Sequence, residues 1–443
     1  MKNVRLGKLW DELHSSYWFI PTVMAVAATA LAFIMLMLDR TGTIGIDSWW
    51  VYTGGADGAR SLLEAVASSM VSVSATAFSI TIVALQLAAS NFGPRLLRNF
   101  LQDTANQVVL GTFISTFIYC LLVLRTVHGK GDGYSQFVPQ LSVTVGIILA
   151  VFSIGVFIFF IHHASTRIQA SYVIDGVSSE LDQAIDRLFP KKIGHGNPEY
   201  IVSQFGDIPT SFEDLARPIN ATGKGYLQAI DNEKLLKITS KHNLLLRISS
   251  RPGNFIFKDS LLVMAYPEER VNRKISKQIN DAFILGKEHT EQQDIEFPFN
   301  QLVEIAVRAL SPGINDPFTA IQCIDRLASG LSCLAQRDFP SPYRYDQDNN
   351  LRVITDPVTY EELVDLAFNQ IRLYARSDRA VTLRLLEAIA IIATYTDNSK
   401  YQAVLRRHAE IILRGSKEGL QEEQDRKDVQ QRYDSVIRAL EGK

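Results

Sequence analysis

The chain has 443 residues, 47% of them hydrophobic and 21% charged, with a formal net charge of −2. That near-neutral balance argues against nucleic acid as a partner, because binding a phosphate backbone needs a basic surface. The three cysteines, Cys120, Cys323 and Cys333, form no CxxC pair and no metal-ligand spacing, so neither a disulfide framework nor a metal site is expected, and no motif calls for a cofactor.

The average composition hides a division near His162. Residues 1–162 hold four long apolar segments and predict a four-span transmembrane domain. The first span runs from Tyr17 to Leu38, behind Lys2, Arg5 and Lys8. It is too long for a signal-peptide core and has no convincing cleavage site, so it reads as an uncleaved anchor. Trp10, Tyr17 and Trp18 suit the headgroup level.

The second span, Leu62 to Asn91, lies in a stretch between Glu64 and Arg95 with no ionised side chain. Within it Ser69, Ser72, Thr76, Ser79, Val83, Gln86 and Ser90 recur at alternating steps of three and four. On a helix they form one stripe, while Met70, Val73, Phe78, Ile80, Ile82, Leu85 and Leu87 cover most of the rest. At about 1.5 Å per residue the stripe is roughly 30 Å long, close to the thickness of a hydrocarbon core. Three readings stand side by side: a water-facing pore lining with Arg95 and Arg98 at its mouth, tight helix packing through small residues, and a substrate groove.

The third span, Val108 to Val127, carries Gly111, Thr112, Ser115, Thr116 and Tyr119, residues that let helix backbones approach closely. The fourth runs from Gln140 to Ile161. Counted at the span ends, Lys2, Arg5, Lys8, Arg95, Arg98 and Arg167 face Arg40, Arg60, Arg125 and Lys130 across the bilayer, which predicts both termini in the cytoplasm.

Residues 163–221 read as a stalk helix, with Ile168, Tyr172, Val177, Leu181, Ile185 and Leu188 at helical intervals, followed by a connector. Residues 222–266 predict a small β-containing module: strands at 225–230, 244–248, 255–257 and 261–265, a helix at 232–241, and a turn at Arg251-Pro252-Gly253-Asn254. Residues 267–443 predict a helical domain, with helices at 269–285, 298–310, 317–335, 361–374, 379–393, 400–413 and 418–440, and an exposed loop at 338–356. The fold class is therefore membrane α-helical with a mostly helical cytoplasmic α+β part.

The most distinctive local sequence is Ser311-Pro312-Gly313-Ile314-Asn315-Asp316-Pro317-Phe318-Thr319. Pro312-Gly313 stop one helix, and Asp316 with Pro317 start the next. Asn315, Asp316 and Thr319 also stand as a candidate ligand or subunit contact. His162-His163 reads as an interfacial pair, since adjacent helical positions point about 100° apart and serve one metal poorly. The polar run from Lys287 to Glu296 reads as a solvated loop, and no GxSxG, HExxH or paired catalytic signature occurs, so the chain is not expected to be an enzyme.

Ser74 to Asp103, the block from Gly225 through Arg251-Pro252-Gly253, the Gln293-Asp294 pair and the Ser-Pro-Gly-Ile-Asn-Asp-Pro corner together resemble a bacterial family of four-span predicted membrane proteins, the domain of unknown function twenty-two fifty-four. The resemblance covers nearly the whole chain and implies architecture without a mechanism. The family pattern implies an arginine ahead of the Gln-Asp pair, where this chain has His289. The expected function is an oligomeric ion channel or passive conduit lined by the second span, with a cytoplasmic assembly or sensing domain. Its expected partners are the lipid bilayer, further copies of itself and small ions. A membrane-anchored sensor or scaffold whose spans only pack is the alternative. Water access to the stripe separates the two.

Overall fold

The structure, a computed structural model, describes residues 18–41, 50–93, 103–129, 136–167, 169–189, 208–290 and 293–441. The chain divides into two compact units between Tyr172 and Val173, ten residues beyond the boundary read from hydropathy.

The first unit is built from α1 (Phe19–Thr41), α2 (Ala56–Phe92), α3 (Thr104–Leu124) and α4 (Gln140–Arg167). All four are long and apolar enough to cross a membrane. Half of α3's apolar window is buried, against about a fifth of each other span, which makes α3 the hub of the bundle. Gly111 sets its closest approach: a Cβ there would stand 2.5 Å from Met24 Sδ and 3.2 Å from the Pro21 backbone. Small residues at helix contacts are how membrane helices gain packing where lipid removes the hydrophobic driving force.

Polar groups tie the helix ends. Asp39 at the end of α1 accepts the Leu141 and Ser142 backbone N–H groups at 3.0 and 2.9 Å and the Ser142 hydroxyl at 2.6 Å. It thereby caps the start of α4 from a neighbouring helix, where a carboxylate complements the helix dipole. Arg60 donates to the Val127 carbonyl at 3.0 Å just beyond α3. Opposite, Asp103 caps α3 through the Ala105 N–H at 3.1 Å and lies 2.7 Å from His163 Nε2. His163 of the predicted pair thus meets a carboxylate, while His162 is exposed.

Helix α5 (Ala170–Leu188) begins three residues before the boundary and in the second unit buries Val177, Leu181 and Ile185. Its Asp175 pairs with Arg326, and Arg337 pairs with Asp186 and the Phe189 carbonyl. A short helix α6 (Phe212–Leu215) precedes β1 (Arg217–Asn220), β2 (Gly225–Ile230), α7 (Asn232–His242), β3 (Leu245–Ile248), β4 (Phe255–Ile256), β5 (Leu261–Tyr266), α8 (Arg273–Asn280) and β6 (Phe283–Gly286). Then come α9 (Glu296–Ala309), α10 (Pro317–Ala335), β7 (Tyr343–Tyr345), β8 (Leu351–Ile354), α11 (Tyr360–Ala375), α12 (Arg379–Thr394), α13 (Ser399–Gly419) and α14 (Glu423–Glu441).

The strands form two sheets, β1-β5-β3-β8-β7 and β4-β2-β6. The larger is mixed, since β3 and β8 pair in parallel through Leu246 and Val353. Four strands lie where the sequence predicts other things: β1 in the connector, β6 across the end of the expected helix 269–285, and β7 with β8 in the expected loop 338–356. The first break comes where Asn272 caps α8 by accepting the Ile275 N–H at 3.0 Å, so the helix starts late and ends at Asn280. The β7–β8 hairpin buries Leu351 and Val353 beneath a tip in which Asp346 holds Arg352 and Asn350. Those two partners keep the Asp346 carboxyl at about 2, below the usual carboxylate range.

Candidate functional site

Helix α2 has 37 residues and is about 55 Å long, well beyond the roughly 30 Å of a hydrocarbon core. Its packed face carries Leu63, Ala67, Met70, Ala77, Thr81 and Ala88, all buried. Small side chains bring this face against α3 and α4, where Met70 and Ala77 share a cluster with Val109, Phe113 and Phe160.

The predicted stripe lies on the other side. Ser69, Ser72, Thr76, Ser79, Val83, Gln86 and Ser90 are all exposed on the single chain. Ser69, Ser72 and Thr76 donate their hydroxyls back to the Val66, Ser68 and Ser72 carbonyls at 2.9, 3.2 and 3.0 Å. Back-bonding of this kind satisfies the donor and leaves oxygen lone pairs facing outward. Beside the stripe, Phe78, Ile80 and Leu87 are likewise exposed, at 47%, 38% and 46%.

From Ser69 to Ser90 the stripe rises about 30 Å, roughly one hydrocarbon thickness. Arg95 and Arg98, expected at the mouth, lie outside the described residues.

At the corner between α9 and α10, Asp316 accepts the Thr319 N–H at 3.2 Å and the Thr319 hydroxyl at 2.6 Å. Asn315 has φ of 50°, a left-handed conformation that asparagine tolerates, and it is exposed with Ile314. Asp316 and Thr319 are thus engaged with each other in a helix cap.

A second polar cluster joins segments that the sequence gives far apart. Arg251 of the β3–β4 turn donates to Glu296 at the start of α9 (2.9 Å) and to Glu362 at the start of α11 (3.2 Å). Beside it, His289 Nε2 lies 2.8 Å from Asp294 Oδ2, and the His289 ring stacks on Tyr226. Gly253, with φ of 97°, is covered by this pair: a Cβ would meet Asp294 Oδ2 at 2.5 Å and His289 Nε2 at 2.8 Å. Burial pushes the Glu296 carboxyl up despite the Arg251 guanidinium. For Glu362 burial pulls the same way, but the Thr359 N–H and Arg251 outweigh it and hold the carboxyl down. The Arg-Pro-Gly turn and the Gln293-Asp294 pair were visible as motifs, yet nothing local places Glu362 beside Arg251. Chemically the cluster is a charged joint between the small sheet and the helical layer.

The family of predicted membrane proteins DUF2254 matches residues 14–390. The chain is also similar to uncharacterised proteins of Mycobacterium bovis (Mb1321c) and Mycobacterium tuberculosis (Rv1290c), each 29% identical over 431 residues, covering 95% of this chain and 80% of the relative. No solved structure matches. A match over most of the chain, spanning all four apolar helices and both sheets, makes this protein a member of the DUF2254 family of predicted membrane proteins.

Proposed function

We propose that the protein is a homo-oligomeric ion conduit of the bacterial inner membrane, with both termini cytoplasmic. Copies gather around an axis so that the α2 stripes, Ser69 to Ser90, line a shared water-filled path. One observation carries the reading: the hydroxyl-rich face of α2 is exposed, while the bundle is packed through the opposite, alanine-rich face. Inside a bilayer such a face is better covered by water or by another copy than by lipid tails. A four-helix subunit has no room for a wide lumen of its own, so repeated copies are the simpler geometry.

The stripe carries no fixed charge, so selectivity rests with the mouths of the path. The second unit serves as an assembly or sensing platform, and the reading assigns it no catalysis. In liposomes holding purified protein, wild type should pass small ions. Thr76→Leu should reduce the flux severalfold, because an apolar constriction dries the path. Equal flux from wild type and empty liposomes would favour a membrane-anchored sensor or scaffold.

A further inference from the structure

The first unit holds a second feature, independent of the α2 stripe. Between α3 and α4, near their Asp103 and His163 ends, runs an apolar groove of about 540 Å³ walled by Val108, Val109, Phe152, Gly155, Val156 and Phe159. That volume lies within the usual range for a small-molecule site. Gly155 makes the groove: a Cβ placed there has no neighbour within 4 Å, so the slot is open where every other nearby wall position carries a side chain. The Phe152 and Phe159 rings, 60% and 50% exposed, stand as its rims.

One end of the slot opens at the start of α3, beside Thr104. Polar groups gather on that side. The Phe159 ring stacks on His163 at 5.4 Å. Arg167, one turn further along α4, keeps its guanidinium 3.6 Å from Asp103, too far for a hydrogen bond, and 4.6 Å from the Tyr172 ring. Its Nε is buried with no hydrogen-bond partner. The Asp103 carboxylate is already engaged by His163 Nε2 at 2.7 Å and the Ala105 N–H at 3.1 Å. Arg167 is therefore the loosely held donor at the polar end of an apolar slot, and basic pockets between membrane helices are where anionic lipid headgroups bind.

We propose that this groove is a binding site for one anionic phospholipid, with an acyl chain lying along Gly155 between Phe152 and Phe159 and the headgroup phosphate reaching the Arg167 guanidinium. An apolar slot with a cation at its interfacial end matches a lipid's tail and head in order. A neighbouring copy's α2 stripe matches it poorly, because hydroxyl and amide groups would meet only hydrocarbon walls. The fork of an arginine is also suited to phosphate oxygens.

The test uses the full chain purified in mild detergent, with bound phospholipid read by native mass spectrometry. Wild type should retain phospholipid and exchange it preferentially for phosphatidylglycerol over phosphatidylcholine. Gly155→Leu and Val108→Trp fill the slot from opposite walls, and each should lower retention at least about tenfold, which corresponds to 1.4 kcal/mol. Gly155→Ala should retain lipid, and Arg167→Gln should keep the lipid while losing the headgroup preference. Unchanged thermal unfolding certifies the variants as folded. Retention unchanged in both filled variants, or no lipid on wild type, would overturn the site. So would a filled variant that loses lipid only together with its oligomeric mass, because the slot would then hold another copy.

Discussion

Helices α2 and α3 cross the same bundle with similar stocks of small polar residues and use them in opposite ways. On α3, Thr116 meets the Ser153 hydroxyl at 3.1 Å, and the Tyr119 hydroxyl donates to the Ser142 carbonyl at 3.0 Å; both residues are fully buried. On α2 the hydroxyls of Ser69, Ser72 and Thr76 turn back onto their own helix from an exposed face, and alanines make the contacts. Thr116 and Tyr119 thus find partners on a neighbouring helix. The exposed hydroxyls of Ser69, Ser72 and Thr76 are left available to water or to another copy, and this exposure separates a lining from a glue.

The comparison breaks first at the α1–α3 contact. Gly111→Leu forces a side chain against Met24 and Pro21 and should cost about 1–3 kcal/mol or more, as overpacking does. Thermal unfolding in detergent reads it, and an unchanged midpoint would mean that α3 is not the hub. A smaller effect sharpens the contrast directly. Thr116→Val should cost about 0.6–1.7 kcal/mol, the range for hydrogen bonds between membrane helices, whereas Thr76→Val on the exposed face of α2 should stay within about 0.5 kcal/mol. Equal losses at both positions would put the α2 stripe in a packed interface.

The smallest effect belongs to the second unit and serves as an internal reference. Burial lowers the His408 pKa from 6.5, with Asp365 opposing and Arg407 and Arg372 adding to the shift. The folded ring therefore resists a proton that the unfolded chain accepts. Stability is flat above about pH 6.5 and declines as pH falls from there towards the lowered folded value. His408→Gln should flatten that decline in the second unit's unfolding midpoint, and a wild-type midpoint that rises on acidification would reverse the assignment.

Much of the architecture was legible in the sequence, and the reasons are local. Four apolar segments of sufficient length announce spans wherever they occur, and α10 begins and ends at the predicted Pro317 and Ala335 because an Asp-Pro cap fixes its start. Strands β1, β6, β7 and β8 were not legible, since each is a strand only through its pairing with other segments, as where Leu246 pairs with Val353 from over a hundred positions away. The stripe's residues were readable from spacing alone. Which side of α2 would pack was not, because serine and alanine are both small enough for a helix contact and only the neighbouring helices decide. The joint at Arg251 was invisible for the same reason, its partners Glu296 and Glu362 being brought in by separate helices.

Water at the stripe is the central claim, and cysteine accessibility tests it most directly. In intact membranes, with the half-buried Cys333 replaced by alanine and the buried Cys120 and Cys323 left in place, single cysteines at Ser72, Thr76 and Ser79 should react with a small charged thiol reagent, because the reactive thiolate forms only where water reaches. Cysteines at Phe78 and Ile80 on the flank of α2, and at Thr116 and Ser153 in the bundle, should remain unlabelled. Protection at all seven positions would contradict the account, and so would labelling of Phe78 and Ile80 as fast as Thr76.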